Sequence, residues 1–342
     1  MKERYYYNLL SPDEKRIYDA FYDGVRKLMP EITIPNRSYT RDSSNHVFQA
    51  ILSDNPDIFY LSPRNCKTRM SASEYTIIPE YLYSREQINE VTSQISRKSS
   101  EIISRICSIA GRDDVKREKE LYRYFQQNYK YDEASKGSEN PAVVRIAYTM
   151  VGPILYNRAV CDGFSKAYMF LLDAMDIRCI YVAGAGRKDG YINPNHAWNI
   201  VWHHGRTYHS DVTWDIPLQY DGTDVFEHLD LSDEAISLNH TGFSRVPKCS
   251  YKDLEYFGNT GAIVGSQKEI EQLLIDAVRR RKNLVEFKVN PKKMRVGNTS
   301  YKGVAKDCIK KAFNEYGKGG ITFAIRERIE TGVVQIKFSY EG

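Results

Sequence analysis

Three residues near the middle of the chain are of the types that together perform nucleophilic chemistry on acyl groups: Cys161, His196 and Asp211. Cys161 stands in NRAVCDGFSKAY, residues 157–168, and Phe164, Ala167, Tyr168, Leu171, Leu172 and Met175 follow it at helical spacing. The pattern predicts a helix that carries the sulfur in its first turn. Backbone N–H groups there lack helical partners, and the helix dipole makes that end positive. A thiolate is stabilised at such a place, and the same N–H groups can hold the oxyanion of a tetrahedral intermediate. Gly163 permits close approach of another backbone or a substrate, and Asn157 tolerates a left-handed turn. The segment reads as shaped to expose one sulfur.

A base and its orienting carboxylate come from the segment HAWNIVWHHGRTYHSDVTWD, residues 196–215, which reads as a β-hairpin turning near His204-Gly205, with Thr207 to Trp214 as the returning strand. With a two-residue loop at that turn, Asp211 falls opposite Trp198. His196 lies two residues before Trp198 and so shares the face. Diagonal neighbours of this kind sit roughly 7–8 Å apart at the backbone, within side-chain reach. A register slip of two residues keeps His196 and Asp211 together, and a one-residue bulge separates them. In the resulting constellation Cys161 is the nucleophile, His196 takes and returns its proton, and Asp211 fixes the imidazole and stabilises its cation.

Competing readings attach to the neighbours. Cys179 lies in the apolar strand IRCIYVAG and reads as core. A loop is expected from Gly184 to Asn195. Asp215 would also face inward in a regular strand and is the decoy for Asp211. His203, His204 and His209 meet only half of a zinc-site spacing, with no cysteine pair beside them, so neither a metal nor another cofactor is expected. Tyr148 and Tyr156 are candidates for a side-chain oxyanion donor, although each fits a packed tyrosine better.

The stretch AVCDGFSKAYMFLLDAMDIRCIYVAG, then HAWNIV, then YHSDVTWD, resembles the bacterial branch of the transglutaminase-like superfamily. The likeness is specific over residues 145–216 and extends more loosely to SPDEKRIYDAFYDGV and DNPDIFYL. It implies an α+β, papain-like core in which a helix bearing the nucleophile packs on an antiparallel sheet. It also implies a Cys–His–Asp triad in that chain order, which falls on Cys161, His196 and Asp211. Animal transglutaminases have tryptophan after the cysteine, where this chain has Asp162, and the bacterial branch often has glycine where Asn157 stands. The activity implied is that of a cysteine acyltransferase, protease or amidohydrolase acting on protein or peptide amides through a Cys161 thioester, released to water or to an amine. The alternative is a catalytically silent binding protein on the same fold.

The elements that must position these residues divide into three expected regions: a mainly helical N-terminal region over 1–110, a catalytic core over 111–260 and a small α+β domain over 261–342. Ser11 and Ser84 each open a capping box, with Glu14 and Gln87. Helices are expected after both and over DDVKREKELYRYFQQNY, with a short helix at Asn45–Ser53. Strands are expected at DNPDIFYL and SEYTIIPEYLY. The tail reads helix, strand, helix, strand, strand, its last hairpin turning near Thr331-Gly332.

The 342 residues, 42% hydrophobic, suffice for more than one core, and the 26 tyrosines call for many buried hydroxyl partners. Gln267 to Gly342 holds 17 Lys and Arg against 9 Asp and Glu, while the whole chain is only +5. That basic tail is a solvated face or a dock for an anionic partner. It lacks the aromatic interleaving of a nucleic-acid module, so no nucleic acid is expected. Six scattered cysteines with no Cys-x-x-Cys pair suggest a reducing compartment and mostly buried thiols. With no membrane span and no secretory leader, the chain as it stands reads as cytoplasmic. Removal of a leader beforehand would instead make it secreted or cell-surface.

Overall fold

Helix starts in a computed structural model of the chain, which describes residues 4–36, 39–188, 191–218, 224–290, 294, 300–317 and 319–341, fall where capping residues stand. After α1 (Tyr5–Asn8), α2 (Pro12–Arg26) opens on a complete capping box between Ser11 and Glu14. β1 (Ile32–Pro35) and α3 (Arg41–Asp54) follow. β2 (Leu61–Met70) and β3 (Glu74–Tyr81) then form an antiparallel sheet with β1, in the order β1-β3-β2. The strand expected at DNPDIFYL is displaced: residues 55–60 form turns, and β2 starts only at the last residue of that stretch. The Asn55 side chain bonds the Ile51 carbonyl and the Tyr18 hydroxyl, so the chain is turned back at the end of α3. α3 is also longer than its apolar run suggested, because Thr40 caps it through Ser43 N–H. α4 (Arg85–Ala110) opens on the second capping box and ends at Gly111, φ +66°.

The middle of the chain runs through α5 (Asp114–Asn128), β4 (Lys130–Tyr131), α6 (Pro141–Ala147), a π-helical turn (Gly152–Tyr156), β5 (Arg158–Ala159) and α7 (Cys161–Asp173). It continues into β6 (Cys179–Lys188), β7 (Tyr191–His203), β8 (Arg206–Ser210) and α8 (Val212–Asp215). β7 lies between β8 and β6. Where a loop was expected from Gly184 to Asn195, β6 and β7 continue as strands, apart from 189–190, which lie outside the described residues. Residues 191–195 are mostly exposed, so an apolar alternation could not have signalled them as strand. α7 is buried on nearly all sides. Phe125 of α5 meets Tyr168 edge-on at 5.3 Å, and Tyr129 stacks on Phe164 at 6.1 Å.

The chain divides into two compact units. One comprises Met1–Ala185, Pro194–Leu229 and Gly242–Cys249. The other comprises Gly186–Asn193, Asp230–Thr241 and Ser250–Gly342. The second unit contains α9 (Asp233–Ile236), β9 (His240–Thr241), α10 (Tyr256–Asn259), β10 (Ile263–Val264) and α11 (Gln267–Arg279). It ends with β11 (Leu284–Val289), α12 (Tyr301–Tyr316), β12 (Ile321–Arg328) and β13 (Val333–Tyr340). The order of α11, β11, α12, β12 and β13 is the one read from the sequence. A sheet ordered β10-β11-β13-β12 packs with α11 and α12 around Ile270, Leu274, Phe287, Ile309 and Ile336. No described helix is long and apolar enough to cross a membrane.

Candidate active site

Cys161 is the first residue of α7. No side chain caps that end, because the N-cap is Val160, so the first-turn N–H groups are not consumed by a cap. Two local devices bring the chain to this start. Asn157 adopts φ +58°, the left-handed conformation expected of it, and turns the π-helical segment into β5. Gly163 lies against the end of α6, where an added Cβ would stand 2.6 Å from the Ala147 carbonyl oxygen and 2.7 Å from the Ala159 Cβ. The close approach expected at Gly163 is therefore to backbone. Cys161 is 5% exposed, with Sγ 3.9 Å from the Asn195 carbonyl oxygen. Cys179 is buried, as expected of a core cysteine.

The hairpin has the expected register: Asn199 pairs with Ser210 and His203 with Arg206, leaving His204-Gly205 as a two-residue turn. Their φ values of +51° and +76° match the turn type that suits the twist of paired strands. The returning strand is shorter than read. It ends at Ser210, and residues 212–215 form α8 with Asp211 as N-cap. The reason lies in Asp211 itself, whose Oδ1 accepts the Trp214 N–H at 3.2 Å. Its other oxygen, Oδ2, lies 2.6 Å from His196 Nε2. The two carboxylate oxygens thus meet different partners, one ending the strand and the other holding the imidazole.

His196 and Asp211 are buried, and the Trp198 and Trp214 rings lie 5.7 and 5.5 Å from the imidazole. Burial alone would lower the imidazole's pKa. The Asp211 charge and hydrogen bonds to Asp211 and Cys161 outweigh it and raise the group from 6.5 to about 10. The structure thus brings the three residues singled out in the sequence into one cluster. Asn199 ties that cluster to its scaffold, donating from β7 to the Ser165 carbonyl of α7 at 3.0 Å and the Ile180 carbonyl of β6 at 3.2 Å.

Asp211 is also held through its backbone. Its N–H donates to the His228 carbonyl at 2.8 Å, and its carbonyl accepts the Tyr122 hydroxyl at 2.9 Å. The same Tyr122 hydroxyl lies 2.7 Å from Asp215 Oδ2, and Asp215 Oδ1 lies 2.7 Å from His228 Nδ1. Asp215 faces inward as expected and serves a separate pair. Of the three histidines weighed for metal binding, His203 Nε2 contacts Glu118, His209 Nδ1 accepts the Trp198 indole N–H at 3.0 Å, and His204 is in the turn. Glu118 further accepts the Tyr168 and Ser210 hydroxyls at 3.0 and 2.8 Å.

Neither tyrosine considered as an oxyanion donor is well placed. The Tyr148 hydroxyl accepts the Gly137 N–H at 2.7 Å and donates to the Ser135 carbonyl at 3.0 Å, and Tyr156 is 52% exposed. Tyr131 is a further tyrosine near the sulfur, one the sequence reading did not consider. β4 pairs in parallel with β5, setting Tyr131 beside Ala159, two residues before the sulfur, and its ring stacks on Phe164 at 6.4 Å. Burial pushes its hydroxyl well above the usual tyrosine value, and the neighbouring Cys161 acts in the same direction. A parallel pair of two-residue strands gives no periodicity to read, so the sequence carried no signal for it.

Residues 105–214 match the family model of the transglutaminase-like superfamily. Two solved structures are similar: a TGase at 13% identity and TM-score 0.30, covering 54% of this chain and 50% of its own, and a protein from Cytophaga hutchinsonii described as a "putative cysteine protease", at 13% identity and TM-score 0.29, covering 54% of this chain and 68% of its own. The chain thus spans half the length of the first of these. No curated protein matches the sequence.

Proposed function

We infer, from the match of residues 105–214 to the family model of the transglutaminase-like superfamily, that the chain is a cysteine enzyme that cleaves or transfers the acyl group of protein or peptide amides. The observation that carries the reading is the buried imidazole of His196, hydrogen-bonded to both Asp211 and Cys161 and raised to about 10, so that it is a cation at neutral pH. A cationic imidazole against a sulfur at a helix start is the arrangement that yields a nucleophilic thiolate.

In the proposed reaction the Cys161 thiolate attacks the amide carbon, and the carbonyl π pair moves to oxygen. First-turn N–H groups of α7 and the Tyr131 hydroxyl hold that oxyanion without giving up their protons. The carbonyl re-forms as the C–N bond breaks, and His196 gives its proton to the departing nitrogen. Neutral His196 then takes a proton from water or an amine as that group attacks the thioester. The C–S bond breaks, and the sulfur leaves as thiolate beside a renewed imidazolium. Asp211 keeps the ring in place through both halves.

The exposed lysines Lys302, Lys306 and Lys310 follow one another at i, i+4, i+8 along α12 and offer a surface for an anionic protein partner or substrate segment.

The test is alkylation by iodoacetamide, read cysteine by cysteine with peptide mass spectrometry, in wild type and His196→Ala. Cys161 is expected to react fast at about pH 6, well below the ordinary thiol pKa of about 8.5, and to lose that advantage in the variant. Reaction no faster than an exposed thiol in both proteins would overturn the reading. Incubation of glutamine peptides with and without an amine then separates deamidation, peptide cleavage and transfer by product mass.

A further inference from the structure

The first turn of α7 contains an electrostatic conflict. Asp162, directly after the nucleophile, is its acidic residue. An acid at that position favours the helix dipole but opposes a negative sulfur one residue away. Asp162 is also fixed in place, because its Oδ1 accepts the Tyr181 hydroxyl of β6 at 2.8 Å. One turn further along, Lys166 is buried, with its side chain 8% exposed. Its Nζ lies 3.7 Å from Asp162 Oδ1, donates to the Tyr148 carbonyl at 3.1 Å and sits 5.7 Å from the centre of the Tyr181 ring. A carboxylate, a carbonyl and an aromatic face are all partners suited to an ammonium ion.

We propose that Lys166 is a positioning residue for Cys161: by neutralising Asp162 inside the protein, it lets the helix keep its acidic first turn without suppressing the thiolate. This rests on the acyl-transfer reading above. Among lysines this one is costly, since burial pulls its ammonium down, with Asp162 and Cys161 opposing that shift. Other groups that bear on the pair are Arg64 of β2, whose guanidinium stacks on Tyr148 at 4.4 Å, and the phenols of Tyr131, Tyr148 and Tyr181. His196 faces the sulfur from β7. Arg64 is an exposed residue of an edge strand, so its charge is screened by solvent and it does not substitute for a buried ammonium.

The test measures the Cys161 alkylation rate by iodoacetamide from about pH 5 to about pH 9 in wild type, Lys166→Met, Asp162→Asn and the double variant. Lys166→Met is expected to slow Cys161 about tenfold near pH 6 and to converge on wild type at the alkaline end, where any thiol ionises. Asp162→Asn is expected to be faster than wild type near pH 6, and the double variant to return to within about twofold of it. The proposal is overturned if Lys166→Met matches wild type throughout, if its rate falls equally at every pH, or if the double variant keeps the single variant's defect. Should Lys166→Met fail to fold, an unchanged rate in Asp162→Asn overturns it alone. A His196→Ala control that reacts like wild type would defeat the triad reading, whereas the Lys166 coupling is read from the other variants.

Discussion

Replacing Asp211 by asparagine should move the His196 proton more than any other single change. In the folded protein the imidazole is raised from 6.5 to about 10, with burial acting against the shift and the Asp211 charge overcoming it. Asparagine keeps the size and a hydrogen bond but removes the charge. Burial then acts with little opposition, and the imidazole should titrate below its ordinary 6.5. Both side chains are almost wholly excluded from water, at 3% and 0% exposure, so solvent screening does not soften the effect. A swing of that size is on the order of 5 kcal/mol at about 1.4 kcal/mol per unit.

The sign follows from the raised value: the pair's contribution to stability is fully present below about pH 6.5 and is lost as pH rises through about 10. The thermal midpoint of the variant should therefore fall furthest below wild type at the low end of that window. The assay is NMR titration of the histidine Cε1–H signals, assigned through His196→Ala, alongside iodoacetamide alkylation. An ordinary thiol of pKa about 8.5 is ionised to roughly one part in 300 at pH 6, so loss of the imidazolium should slow Cys161 there by on the order of 100-fold. A wild-type His196 that titrates below about 7, or a variant whose midpoint does not move, refutes the reasoning.

Three further outcomes are expected. Tyr131→Phe should lower the rate of acylation by p-nitrophenyl acetate about 100-fold while leaving iodoacetamide alkylation nearly unchanged, since alkylation forms no oxyanion. Parallel losses in both rates would make Tyr131 a packing residue only. Gly163→Ala should cost about 1–3 kcal/mol in urea unfolding, because the new methyl meets the Ala147 carbonyl at 2.6 Å and neither backbone can yield cheaply. Glu118→Ala strips a buried partner from His203, Ser210 and Tyr168 together, and should cost about 3–5 kcal/mol in the same measurement.

What could be read without coordinates was the part governed by local rules. The α7 stripe, the two capping boxes, the two-residue turn at His204-Gly205 and the left-handed Asn157 each depend on a few neighbouring residues, and each stands where it was read. Even the meeting of His196 with Asp211 followed from strand parity. The misplaced end of β8 comes from one residue that serves two structures. Asp211 was placed on a regular strand because its face was right, yet its capping of α8 ends that strand, a role that Asp followed by Val-Thr-Trp does announce. Tyr131, Tyr122, Glu118 and His228 reach the site or its frame from distant positions, through contacts that no spacing encodes.

The frame around Asp211 also shows why a perturbed histidine is not by itself a site. Two buried histidine–carboxylate pairs stand on either side of Trp214, whose ring lies 5.5 Å from His196 and 5.3 Å from His228. Burial acts against both imidazoles, and a carboxylate raises both. Their difference is in what else they touch. Asp215, the partner of His228, also meets the Tyr122 hydroxyl and accepts the His228 N–H. His196 instead adds a hydrogen bond to a sulfur at a helix start that no side chain caps. Strong charge pairing is common to both pairs; the His196 pair adds a contact with a sulfur at a helix start, which is the arrangement the proposed chemistry needs. The Asp211 backbone links the two pairs, since its N–H donates to the His228 carbonyl and its carbonyl accepts the Tyr122 hydroxyl that also meets Asp215.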